Sequence, residues 1–378
     1  MSGQDRVGPL AGTRVIDLTR FPPGAYCTLV LADLGADVVR IDPPASAGRR
    51  PGGASQIGLM RGKRSMALDV RIPEANEILR RMAATSDVLV ENAQPGAMEA
   101  RGFGYSHAAV EFPQLIWCSI SGFGQDGPYA GRSGHDITYL AHSGLLAALT
   151  PDLPWHPQAM LSVPLGALMA AIGVLGALVD RGRTGKGCQI DLSIADAAMW
   201  VLSGEDGQLT DHPLRIGVSP GRRLYQCGDG EFISVAAAEP RTWTALCNAL
   251  DLPDLVDDPD PQGDAGIPAT KRLAAVFATK PASEWVEMLG PLGTAVGAVN
   301  RGDQVPADPH NQGRGSTVTV AGVPVPANPV RLRDASGPRS STATGEPADP
   351  GANTDEVLSE AGFSSEEIAD LRARGVVA

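Results

Sequence analysis

An open α/β fold followed by a second, smaller domain is the architecture this sequence predicts, and three observations predict it. The chain opens as strand, turn, helix, strand. Short apolar runs then keep alternating with helically spaced segments up to about residue 200. Beyond 203 the character changes to charged, proline-containing loops around one β-hairpin. Strands alternating with helices imply βαβ units and a parallel sheet, and 378 residues suit two domains.

TRVIDL (13–18) is a short apolar run of the kind a buried strand shows. FPPG makes a turn. Helical spacing follows over 25–34, with Gly35 as its C-cap. ADVVRIDPP is a second strand stopped by prolines. A helix fits 73–85, DVLVEN (87–92) is a third strand, and LIWCSISGFG (115–124) is a fourth that runs into a glycine loop. The apolar stretch 163–179, rich in Ala and Gly, reads as a buried helix rather than a membrane span. YQCGDGEFISVAA (225–237) is a hairpin around Gly228-Asp229-Gly230. Helices are expected over 242–249, 271–278 and 282–289. The run 334–354, dense in Ser, Pro, Gly and Ala, reads as a linker. SSEEIADLRARG then opens on a capping box, Ser364 to Glu367, and closes on Gly375.

The net charge of −12 argues against a nucleic-acid surface, which needs a basic stripe, but leaves room for a local anion site. Five scattered cysteines form no zinc pattern and read as free thiols of a reducing compartment. The N-terminus lacks a basic region followed by an apolar run, so a soluble, cytoplasmic protein is expected.

A dinucleotide-binding turn would show GxGxxG after the first strand. TRFPPGAY carries one glycine, which speaks against NAD or FAD. Basic residues gather nearby: Arg40, Arg49, Arg50, Arg61, Lys63 and Arg64. They are close enough to bracket phosphates, and equally fit a solvated basic loop. His135 follows Gly134 where a glycine-rich loop meets a helix. Such junctions display catalytic groups, and His is the usual base near neutral pH; a hydrogen-bonded residue at the start of a helix is the alternative. Asp136 is adjacent but points elsewhere on a helix, and His142 is assigned only packing. Glu239 ends an apolar strand, facing a cleft or capping the next helix. No GxSxG nucleophile elbow is present.

Taken together, LAGTRVIDLTRFPPGAYCTLVLADLGADVVRIDPP, MRGKRSMALDV, VLVENAQPGAMEARGFGY, LIWCSISGFGQDGPYAGRSGHDITY, GRTGKGCQIDLSIADA, DGEFISVAAAEP and the C-terminal NTDEVLSEAGFSSEEIADLRARGVV resemble the family III CoA-transferases and α-methylacyl-CoA racemases, in order and over nearly the whole chain. The resemblance implies a Rossmann-like large CoA-binding domain (1–200 and 325–378), and a linker and small α+β domain (201–324). It also implies two open rings interlocked as a homodimer, with sites between the large domain of one chain and the small domain of the other. Gly134-His135-Asp136 is similar to the racemase branch, where the transferases carry an aromatic residue before the Asp. His135 is then one of two bases on opposite faces of the α-carbon of an acyl-CoA thioester. Arg40, Arg61, Lys63 and Arg64 would contact CoA, and Glu239 would be lent by the partner chain. Nothing beyond CoA itself is implied as a cofactor.

Three positions depart from that pattern. Ser162 stands where both branches carry the aspartate that is second base or acyl-carrying nucleophile. Arg222 and Arg223 replace aromatic residues, and Gln94 replaces an Arg. Serine is no base near neutral pH without activation. The reading is therefore a racemase or epimerase using His135, with Ser162, Asp136 or Glu239 holding a water for the other proton. The alternatives are a family III CoA-transferase, a lyase or dehydratase on the same scaffold, and a CoA-thioester binding protein without catalysis.

Overall fold

A computed structural model describes residues 7–20, 22–49, 53–150, 157–204, 219–258, 261, 263–335, 337–338, 342 and 345–378. The chain forms two compact units, Met1–Leu209 with Gln312–Ala378, and Thr210–Asn311.

The larger unit is built on six strands: β1 (Arg14–Asp17), β2 (Asp37–Asp42), β3 (Arg64–Ala67), β4 (Val88–Glu91), β5 (Ile116–Ser121) and β6 (Gln189–Ser193). Their order is β3-β2-β1-β4-β5-β6, and every neighbouring pair is parallel. β4 and β5 are buried at every position. Covering by helices on both faces requires that, and it is why they read as continuous apolar runs rather than alternating ones. The strand order reverses between β1 and β4. In such a sheet the ligand crevice lies at that switch point, outside the carboxyl ends of the strands.

The first crossover is the helix Pro22–Asp33, with prolines in its first turn where their missing N–H groups cost nothing. It ends at Gly35, whose φ of +101° is the left-handed conformation that a side chain resists. Two strands of this sheet escaped the sequence reading. RSMA is not part of a basic loop but the edge strand β3, buried along its length, and QIDLS is the opposite edge, β6. Edge strands are short and carry polar residues, so their apolar signal is weak.

The helix Ser162–Thr184 is buried along one face only. Val163, Ala167, Ala170, Ala171 and Val174 enter the core. Leu168, Ile172 and Val179 stay 49%, 59% and 69% exposed. The expectation of a buried helix is corrected to that extent. It is the one described helix long and apolar enough to cross a membrane, but its inner face is packed within the core formed with the sheet.

The C-terminal segment returns to β3. Asn353 Oδ1 accepts from Ser65 N at 3.0 Å, and Leu68 bridges to Val377. Leu358, Phe363 and Leu371 join the core cluster of Met66 and Leu79. The capping box Ser364–Glu367 forms as read. Arg50 and parts of the 334–354 run lie outside the described residues.

The smaller unit holds the antiparallel strands β7 (Arg222–Gln226), β8 (Phe232–Ala236) and β9 (Val296–Ala298), in that order. The first two are the hairpin read from 225–237. Helices Pro240–Ala249, Ile267–Phe277 and Ala282–Leu289 bury Trp243, Phe277, Trp285 and Leu289.

Candidate active site

A cleft of about 740 Å³ opens in the larger unit at the carboxyl ends of its strands. Its walls include Pro22 after β1, Gln94 after β4, Ser121 and Gly122 at the end of β5, and His135. This is the switch-point crevice that the strand order calls for.

His135 is exposed at the N-cap of the helix Asp136–His142, with extended backbone (φ −128°, ψ 177°). Its main-chain N–H donates to Thr138 Oγ1 at 3.4 Å, which fixes the start of the helix. The loop before it is held by Tyr139. That hydroxyl donates to the Gly134 carbonyl at 2.8 Å, and the ring packs where a Cβ at Gly122 or Gly134 would come within 2.5 and 2.7 Å of it. Burial pushes the Tyr139 phenol upward, so it remains a neutral donor. Phe123, Tyr129 and His142 stack edge to face, with ring centroids 5.3–5.6 Å apart, so His142 has the packing role assigned to it. Arg132 lies over the Tyr129 ring at 3.6 Å and is the cation among the described cleft-lining residues. Sequence reading missed it, although AGRSGHD places it three residues before His135.

Asp136 lines the cleft, but its carboxylate is committed elsewhere. It accepts from Leu161 N at 3.0 Å, Val163 N at 2.9 Å and Ser162 Oγ at 2.8 Å. It is thus a cap, supplied from another helix, for the orphan amides that open Ser162–Thr184. Ser162 is fully buried and also donates to the Asp136 carbonyl. Ser162 and Asp136, expected to hold a reacting water, are hydrogen-bonded to each other.

The four cations expected at CoA are placed inside the fold instead. Arg61 pairs with Asp33 at 2.8 Å. Lys63 donates to Ala25 O, Thr28 Oγ1 and, at 3.5 Å, to Asp17. Arg64 pairs with Asp37 and reaches Glu356 and Glu360 in the returning C-terminal helix. Arg40 pairs with Asp42 at 2.6 Å. All four are 3–6% exposed, and none lines the cleft. Burial lowers the Lys63 ammonium pKa, with Asp17 opposing it. Of these four, Arg40 and Arg61 keep a buried nitrogen without a partner. A basic cluster in sequence has become ion-pair cement: Arg61, Lys63 and Arg64 each meet an acid from another element, and Arg40 meets Asp42 of its own strand.

Glu239, in the smaller unit, is exposed at the N-cap of Pro240–Ala249 and accepts from Thr242 Oγ1 at 3.2 Å. Among the described residues no cluster of His, Cys, Asp and Glu could hold a metal ion.

The fold has counterparts. The chain is 35% identical to human α-methylacyl-CoA racemase, over 97% of both chains. It is 31% identical to acetyl-CoA:oxalate CoA-transferase of Acetobacter aceti, over 86% of this chain and 89% of that protein. A CaiB/BaiF family protein from Brucella suis superposes with a TM-score of 0.80 at 26% identity, over 94% of this chain and all of that one. The family model CoA-transferase family III matches residues 10–348, and the chain belongs to that family.

Proposed function

We propose that the protein is an α-methylacyl-CoA racemase-like or epimerase-like enzyme, in which His135 removes the α-proton of an acyl-CoA thioester. The observation that carries this reading is His135 itself: an exposed imidazole on the wall of the switch-point cleft, at the start of a helix that a buried tyrosine pins. The α-hydrogen of a thioester is acidified by the adjacent carbonyl, so one well-placed imidazole suffices to start the reaction. Transfer through an acyl-aspartate is disfavoured because Ser162 occupies the aspartate's position with its hydroxyl bound to Asp136. Arg132 supplies positive charge for a CoA phosphate or acyl carboxylate. Coenzyme A enters only as part of the substrate. Glu239 of a second copy is the candidate for the opposite face, within a homodimer.

The test is α-proton exchange. A panel of 2-methylacyl-CoA thioesters in deuterated water should gain deuterium at the α-carbon, and His135→Ala should slow this by about 10²–10⁴-fold. No exchange by the wild type with any of them sinks the reading.

A further inference from the structure

The hydroxyl of Ser121 is buried, lacks a hydrogen-bond partner, and belongs to a residue that lines the cleft. Ser121 is the last residue of β5, only 8% exposed. Its neighbours show that the lack of a partner is particular to it. Ser119, two residues earlier, accepts from Trp117 Nε1 at 3.2 Å. Ser193, paired with Ser121 across the β5–β6 ladder, accepts from Asp196 N at 3.1 Å and caps the next helix. A buried hydroxyl left without a partner costs about 1–3 kcal/mol. A chain that keeps one at the carboxyl end of a central strand, beside the His135 loop, has a donor in reserve for what enters the cleft.

We propose that Ser121 Oγ donates a hydrogen bond to the thioester carbonyl oxygen of the bound acyl-CoA. This rests on the reading that an acyl-CoA occupies the cleft. When His135 takes the α-proton, the C–H electron pair moves into the bond between the α-carbon and the carbonyl carbon. The carbonyl oxygen then gains negative charge. Ser121 keeps its proton throughout and strengthens its hydrogen bond as that charge develops, which lowers the barrier to the enolate. Proton return to the α-carbon reverses the electron flow.

The experiment compares wild type with Ser121→Ala and Ser121→Thr, using an acyl-CoA thioester and the matching S-alkyl-CoA thioether, which lacks the carbonyl. Binding is read by calorimetry and exchange by deuterium incorporation. In the wild type the thioester should bind roughly tenfold tighter than the thioether, and Ser121→Ala should abolish that preference. Exchange should fall about 10²-fold in Ser121→Ala and be largely retained in Ser121→Thr. Thermal stability of Ser121→Ala should match or exceed wild type, because the deleted hydroxyl has no partner in the fold. An unchanged thioester preference in Ser121→Ala overturns the proposal while leaving the acyl-CoA reading intact. Wild type that binds neither ligand overturns both.

Discussion

At the scale of single residues, burial decides what a charged side chain does. Lys63 is enclosed between β1 and the helix Pro22–Asp33, its ammonium shared by Thr28, the Ala25 carbonyl and Asp17. Removing one partner of a buried pair strands the other, at a cost of about 3–5 kcal/mol. Lys63→Met is therefore expected to lower the midpoint of chemical denaturation substantially, while the protein that remains folded binds CoA as before. Lost CoA affinity at unchanged stability would return Lys63 to the phosphate-binding role first assigned to it. Glu91, at the end of β4, is the opposite case. Its carboxyl pKa is raised, chiefly by burial, above the ordinary 4.5, with Ser119 and the Ala93 amide opposing the shift. The folded state then holds its proton more tightly than the unfolded chain. Glu91's contribution to stability is greatest below pH 4.5 and declines as pH rises through the folded-state pKa. Glu91→Gln should thus gain stability relative to wild type as pH is raised from 4 to 8 in thermal melts. A difference that stays flat with pH would show that Glu91 does not titrate in that range.

At the scale of elements, the Asp136 cap couples the His135 helix to the longest helix of the molecule. Asp136 serves two backbone amides and one hydroxyl, whereas Ser162 contributes a hydroxyl whose loss leaves the amides capped. Ser162→Ala should cost about 1 kcal/mol and leave exchange near wild type, while Asp136→Ala should cost about 2–3 kcal/mol. Exchange in Asp136→Ala should fall because His135 begins the tethered helix; equal stability losses in the two variants would contradict the capping account. Ser162→Asp would set a second carboxylate against Asp136, and two such groups in contact cannot both ionise. This coupling was not legible in the sequence, since Asp136 and Ser162 are 26 residues apart and a cap across that distance leaves no local pattern. The strands β1, β2, β4 and β5 were legible because covered parallel strands are uninterrupted apolar runs. The edges β3 and β6 were not, and with β3 went the role of RGKRS: spacing shows that cations are close together, not that acids from four other elements meet them. Ser121 was invisible for a related reason, because an unpartnered hydroxyl is recognised only once every neighbour's partner is known.

At the scale of the whole molecule, the outer face of Ser162–Thr184 is the feature the single chain leaves unexplained. Leu168, Ile172 and Val179, four and seven residues apart, form one exposed apolar stripe along that helix. Beside it lies an apolar groove of about 440 Å³ lined by Tyr26, Leu29, Leu168 and Val325, all of the same unit. A membrane does not suit this face. The helix carries Asp180, Arg181 and Arg183 in its last turns, and its other side is locked into the core formed with the sheet. A second copy does suit it, because a two-fold axis pairs one stripe with its own image and hides apolar surface on both chains at once. The homodimer proposed above then predicts that wild type sediments at twice the mass of one chain. The double variant Ile172→Glu, Val179→Glu should sediment as a single chain with unchanged helical content, because both side chains point away from the core. If the active site draws Glu239 from the second copy, that monomer should retain CoA binding and lose racemisation, while exchange at the face served by His135 persists. Wild type that sediments as one chain would remove the dimer, and Glu239's proposed role with it.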